Sequence, residues 1–212
     1  VAEPSWTVVL PVKRLGLAKS RLRGALPGVP HEELALALAA DTVRAARACP
    51  AVAEVLVVTD DPRAGAVLRA VGARTVPDLP DAGLNAAFRH GAAAAGPAAA
   101  VAALTADLPA LRPAELAAAL RSGPPGVRRF VADAPGTGTV LLAAPAGVPL
   151  QPCFGPGSAA AHSAGGALPL EGDWPTLRRD VDTAADLAAA ARLGLGPRTD
   201  ALVSAHVGGL TG

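Results

Sequence analysis

Three aspartates carry the first chemical signal in this chain. Asp107 closes an apolar run, "ALTADLPAL" at 103–111, that reads as a buried strand handing over to a loop. Asp180 and Asp182 occupy alternate positions in "DVDT" at 180–183, so in an extended backbone both side chains leave from one side. Like charges held together are costly unless a cation lies between them. Mg²⁺ suits such a place, because it takes oxygen ligands from few carboxylates and completes its shell with water and substrate phosphates. Each aspartate also has an ordinary reading, Asp107 as a turn residue and Asp182 as the cap of a final helix. Taken together, Asp107, Asp180 and Asp182 are expected to converge as metal ligands.

The second signal is basic. The loop "LPVKRLGLAKSRLRG" (10–24) gathers Lys13, Arg14, Lys19, Arg21 and Arg23, and among 19 basic residues Lys13 and Lys19 are the only lysines. Cations at the mouth of a sheet can neutralise a triphosphate and the charge that develops as a phosphoryl group is transferred; the alternative is a solvated basic loop. Neither G-x-G-x-x-G nor G-x-x-x-x-G-K-[ST] occurs in it, which argues against an ordinary Rossmann dehydrogenase and a P-loop NTPase. A third stretch, "FGPGSAAAHSAGGA" (154–167), sets Gly155, Gly157 and Ser158 ahead of a short helix. Backbone N–H groups and a hydroxyl there suit a phosphate or carboxylate, and a plain turn with Ser as N-cap is the competing reading. His162 reads as structural, since no companion acid makes a Ser–His nucleophilic system. Thr137 and Thr139 in "GTGT" (136–139) add hydroxyls, and Asn85 is the only asparagine.

These residues need a scaffold, and the hydrophobic pattern supplies one. Strands are expected at 6–12, 54–61, 73–78 and 99–107, with helices at 31–50, 62–72, 83–96 and 113–122 between and after them. Such alternation predicts a parallel sheet covered on both faces. Past "GPPG" (123–126) two close strands, 128–133 and 138–145, are expected to pair antiparallel, and 176–194 reads as a strand-like stretch followed by a helix capped by Asp182 or Thr183. The expected unit is a single domain over 1–212, with its core at about 6–196 and a loosely attached tail at 197–212. Open sheets of this kind bind ligands beyond the carboxyl ends of their strands, where Asp107 and the basic loop would lie.

Composition narrows the partners. A hydrophobic fraction of 51% excludes general disorder, and no apolar run is clean enough to span a bilayer. A net charge of +1 and 2% aromatic residues give no case for nucleic-acid or membrane binding. Cys49 and Cys153 form no disulfide framework or metal motif. The start "VAEPSWTVVL" shows no secretory signal, so a reducing cytoplasm is expected.

With "LPVKRLGLAKSRL", "GLNAAFRHG", "ADLPAL", "GTGT", "FGPGSAAAHSAGGA" and "RRDVDTAADL" in order from residue 8 to about 190, the chain resembles the guanylyltransferases of deazaflavin (coenzyme F-420) biosynthesis. These are named for 2-phospholactate or phosphoenolpyruvate and belong to the GT-A-like nucleotidyltransferase superfamily. The resemblance implies an α/β, Rossmann-like nucleotidyltransferase domain with a mostly parallel mixed sheet flanked by helices. It implies transfer of GMP from GTP to a small phosphorylated three-carbon acid, phosphoenolpyruvate or 2-phospholactate, with release of pyrophosphate. By the same resemblance Asp107, Asp180 and Asp182 bind Mg²⁺, Lys13 and Lys19 embrace the triphosphate, Gly83 and Asn85 lie near the guanine, and Thr139, Gly155 and Ser158 hold the acceptor. Lys19 and Asp107 would be the catalytic pair. The loop is poorer in glycine than is usual in the superfamily. A molybdopterin or sugar-phosphate nucleotidyltransferase of the same fold, and a non-catalytic nucleotide-binding regulator, are the alternatives.

Overall fold

The computed structural model describes residues 5–17 and 22–208. From the N-terminus the elements are β1 (Trp6–Pro11), a 3-10 turn at Leu15–Leu17, α1 (His31–Arg47), β2 (Val52–Val58), α2 (Pro62–Ala70) and β3 (Arg74–Val76). Next come α3 (Leu84–Ala95), β4 (Ala100–Leu104), α4 (Pro113–Arg121), β5 (Arg129–Ala132) and β6 (Thr139–Ala144). The chain closes with α5 (Ser158–Ala164), β7 (Leu168–Pro169), α6 (Ala184–Leu193) and α7 (Pro197–Gly208). All seven strands join one mixed sheet in the order β3-β2-β1-β4-β6-β5-β7. The pairs among β3, β2, β1 and β4 are parallel, while β6 runs antiparallel to both β4 and β5.

Strands β1 and β2 are near-continuous apolar runs because both of their faces are covered. Trp6, Val8 and Leu10 enter the core that includes residues of α1, α2 and α4, whereas Val9 enters the core built with α3. On β2, Val55 and Val57 go to the first core and Leu56 and Val58 to the second. Local signals start the helices. Asp61 accepts from the backbone N–H groups of Arg63 and Ala64 ahead of Pro62, and Thr183 and Asp186 form a reciprocal capping box on α6. Thr183 is therefore the cap, and the reading of Asp182 as the cap falls.

The sheet has one topological switch. From β1 the chain moves to β2 and β3 on one side and returns to place β4 on the other. The crevice beyond the carboxyl ends of β1 and β4 is thus the natural ligand position.

Three expectations change. Strand β4 ends at Leu104, three residues before Asp107. The stretch 176–182 contains no strand, because its backbone donors go elsewhere: Thr176 and Leu177 N–H to Glu115 Oε2 at 2.9 and 3.1 Å, and Val181 N–H to the Asp107 carbonyl at 3.0 Å. The tail is not loose through Gly208. Its residues 197–208 form α7, packed on α1. Buried Asp41 of α1 caps it from outside, accepting from Arg198 N at 3.1 Å and Thr199 N at 2.7 Å. The weak local pattern hid a helix whose cap lies far away in sequence.

Helix α3 approaches the sheet closely at Gly91, where an added Cβ would lie 2.4 Å from Val9 Cγ1 and 2.9 Å from Val58 Cγ2. Gly91→Ala is expected to cost about 1–3 kcal/mol through overpacking, measured as a fall in the urea or thermal unfolding midpoint.

Candidate functional site

A cleft of about 320 Å³ opens at the switch point. Its walls are Pro11–Lys13 and Leu15 after β1, Ala35, Leu38 and Ala39 of α1, Leu84 and Phe88 of α3, and Thr105–Asp107 after β4. The lining is mostly apolar, which suits the flat face of a ring. The polar lining residues are Lys13, Thr105 and Asp107. The Thr105 hydroxyl is buried and has no hydrogen-bond partner among the described residues, which is costly.

Asp107 is held by what surrounds its backbone. Thr42 Oγ1 accepts from Leu108 N at 2.9 Å while donating to the Leu38 carbonyl, which pins the loop to α1. The Asp107 carbonyl accepts from Val181 N–H, the residue between the other two aspartates. Val181 itself is fully buried in the cluster containing Leu22, Leu34, Leu38 and Leu187. The Glu115 carboxylate clamps Thr176 and Leu177, and Thr176 Oγ1 accepts from Arg112 N at 3.0 Å. These bonds bring the backbones of the Asp107 and Asp180–Asp182 segments together. Among the described residues, however, no group of three or more His, Cys, Asp or Glu side chains is arranged to hold a metal ion unaided. Only oxygen donors stand on these two segments, a hard-ligand set of the kind Mg²⁺ uses with partners outside the protein.

The "GTGT" hairpin and the Gly155–Ser158 turn do not line this cleft, but backbone bonds join them to each other and to the aspartate segment. Asp133 folds the hairpin by accepting from Thr137 N and Gly138 N, both at 2.9 Å. Ala134 N–H then bonds to the Arg178 carbonyl at 2.9 Å, tying the hairpin to the segment that ends in the aspartates. On the other side Ala159 N–H bonds to the Thr137 carbonyl at 3.1 Å. Gly155 and Gly157 adopt φ of +139° and +73°, a turn that side-chain-bearing residues resist. Thr139 and Ser158 are both buried.

The nucleotide-side expectations fare unevenly. Lys13 lines the cleft, with its ammonium held by Asp78 at 3.3 Å and Asp81 at 3.4 Å. Lys19, with Arg21, lies outside the described residues. Gly83 sits at the N-cap of α3, whose Leu84 and Phe88 line the cleft. The Asn85 amide is bonded within the protein: Oδ1 accepts from Phe154 N at 2.7 Å and Nδ2 donates to the Phe154 carbonyl at 2.9 Å. The amide is taken up by a peptide group, and the Phe88–Phe154 stack at 4.3 Å reinforces the same junction. Asn85 therefore fastens α3 to the glycine turn. Asn85→Ala would strand two backbone groups and is expected to cost about 1–3 kcal/mol, seen as a lower melting temperature, with Asn85→Asp in between.

Sequence reasoning missed Glu115, Thr42 and Asp133, whose bonds to distant backbone leave no local signature. His162 it read as structural, and the structure makes more of it. The ring is buried, bonded at Nδ1 to Thr139 Oγ1 and at Nε2 to Cys153 N–H, each at 2.9 Å. Burial, reinforced by the Arg128 charge, lowers its pKa from 6.5 to about 4. Between those values the unfolded chain binds a proton that the folded one refuses. This contribution to stability is complete above pH 6.5 and is lost as pH falls towards about 4. Replacing His162 with Phe is expected to flatten this part of the stability–pH curve, measured by denaturant melts at several pH values.

Nucleotidyltransferases have this fold. A nucleotidyl transferase from Methanothermobacter superposes with a TM-score of 0.62 at 22% identity, covering 89% of this chain and 97% of its own. A CMP:2-keto-3-deoxy-manno-octonic acid synthetase complexed with CTP gives 0.57 at 17% identity, covering 89% and 98%. Residues 20–167 match the MobA-like NTP transferase domain family. Over 197 residues the chain is 73% identical to a phosphoenolpyruvate guanylyltransferase of Salinispora arenicola, covering 92% of this chain and 91% of the relative. A protein of the same name from Streptomyces coelicolor is 54% identical over 203 residues, covering 94% and 96%. The chain belongs to the MobA-like NTP transferase family and, within it, to the group formed by these relatives.

Proposed function

We propose that the protein transfers GMP from GTP to phosphoenolpyruvate, releasing pyrophosphate, as a step of coenzyme F-420 biosynthesis. The observation that carries this reading is the 73% identity to a protein of that name across nearly the whole of both chains. The site agrees with it chemically. A mostly apolar cleft that also carries Lys13 and Asp107 suits a purine nucleotide with its phosphates near those two residues. The hydroxyls and glycines of the hairpin and glycine turn suit a small acid, and bonds through Ala134 and Val181 tie the hairpin and the Asp107 loop to the 176–182 segment.

In this reading an oxygen of the acceptor phosphate attacks the α-phosphorus of GTP in line. The bond from that phosphorus to the α,β-bridging oxygen breaks, and pyrophosphate leaves with the electron pair. The nucleophile is already anionic near neutral pH, so no general base is needed. The chain supplies position and charge. Lys13, which lines the cleft, would meet the triphosphate, and by the resemblance Lys19 would share that role; Thr139, Gly155 and Ser158 would hold the acid. Asp107 with Asp180 and Asp182 would hold Mg²⁺, whose remaining positions suit phosphate oxygens and water. Bound there, the ion would neutralise charge on the reacting phosphates.

The test is turnover of GTP with phosphoenolpyruvate, 2-phospholactate and 3-phosphoglycerate separately, with products identified by mass. A GMP adduct of phosphoenolpyruvate formed in preference to the others is expected. Preference for another acid would overturn the acceptor, and no pyrophosphate with any acid would return the regulator reading. Asp107→Asn and Asp182→Asn are each expected to abolish transfer at saturating Mg²⁺ with an unchanged melting temperature; near-normal rates in both would reject the metal assignment.

A further inference from the structure

We propose that His162 is a positioning residue that makes the Thr139 hydroxyl an obligatory hydrogen-bond donor towards the acceptor, so that a ligand oxygen able to accept a hydrogen bond is selected at that point. The proposal rests on the reading above that Thr139 belongs to the acceptor site.

A backbone N–H can only donate. The Cys153 N–H, 2.9 Å from Nε2, therefore requires a lone pair on that nitrogen. A neutral imidazole with a bare Nε2 carries its proton on Nδ1. Nδ1 lies 2.9 Å from Thr139 Oγ1, so the ring donates and the threonine oxygen accepts. The hydroxyl proton of Thr139 then has to point elsewhere. Among the described residues this hydroxyl makes no other hydrogen bond, and its residue is buried. A buried donor with no protein acceptor among the described residues is matched by an acceptor on a ligand. Carboxylate and phosphate oxygens fit, whereas a ligand group that can only donate does not.

The surroundings hold this arrangement. Phe154 meets the ring edge-on at 5.1 Å and 74°, and Phe130 packs against it at 5.8 Å. A flipped ring would lose both polar bonds inside that aromatic wall. The Arg128 side chain, bonded to the Gly165 carbonyl and to Gln151, adds positive charge nearby and opposes the imidazolium. Ser158 lies four residues before His162 on α5, and both are buried. That spacing sets the two side chains on one helical face, the face that meets Thr139. The Ala159–Thr137 bond holds the helix and the hairpin together beside them.

Two readouts separate this role from core filling. Long-range ¹H–¹⁵N NMR of the wild-type protein reads the tautomer directly, with the proton expected on Nδ1 at neutral pH; a proton on Nε2 would overturn the proposal. Steady-state kinetics reads the consequence. Thr139→Val and His162→Phe are each expected to raise KM for phosphoenolpyruvate about 10- to 100-fold, the loss of one bond to a charged group, with KM for GTP unchanged. The double variant should be little worse than either single one. In His162→Asn the amide nitrogen takes the Nδ1 place, and recovery of much of the acceptor affinity is expected. A folded His162→Phe protein with normal KM for phosphoenolpyruvate would overturn the proposal. Absence of wild-type turnover with that acid would instead overturn the functional reading, with the tautomer result standing separately.

Discussion

The hydrogen bond from Val181 N–H to the Asp107 carbonyl joins two parts of the chain that are far apart in sequence. On one side of it stands the loop after β4, at the switch point where an open parallel sheet offers a crevice. On the other stands a segment with no regular secondary structure. Such a segment cannot place a carboxylate by itself, since each of its residues retains conformational freedom that must be removed. The structure removes it with polar stitches, two from Glu115, one from Thr176 and one from Asp107, and with the burial of Val181 between its charged neighbours. Charge is carried to the site on irregular backbone, and the rigidity comes from the elements beneath it.

A second set of bonds continues around the mouth. Arg178 carries its carbonyl to Ala134 and its guanidinium to the carbonyls of Ala132 and Leu170. The hairpin passes the constraint to α5 through Thr137, and Asn85 passes it from the glycine turn to α3. Because α3 also lines the cleft, the glycine turn and the cleft are mechanically linked. A transfer between two bound ligands needs that, since rate depends steeply on the placement of the reacting atoms.

The parallel half of the sheet was legible because β1 and β2 are apolar on both faces and their helices carry ordinary start signals at Pro62 and Pro113. The antiparallel pairing of β5 and β6 followed from the short connection between them. Helix α7 was not legible, because its cap is Asp41, on α1. The stretch 176–182 misled for a similar reason: Glu115 takes donors that a strand would have spent on a neighbour. At the site, residue type singled out segments whose internal bonds only the fold reveals. Asn85 has the groups to read a base, and a peptide group of the glycine turn claims them. His162 looked like filler because its value lies in which nitrogen is bare, and only the partners on both sides reveal that.

The central claim is that one small acid is held by the hairpin and glycine turn at one end and presented to the aspartate segments at the other. A crystal structure of the protein with Mg²⁺ and phosphoenolpyruvate tests it most directly. The account predicts density touching Ser158 and the Thr139 hydroxyl, with the acid's phosphate against a metal ion bound by Asp107 and the Asp180–Asp182 pair. Acid bound away from the hairpin and glycine turn, or a metal held by other residues, would contradict it.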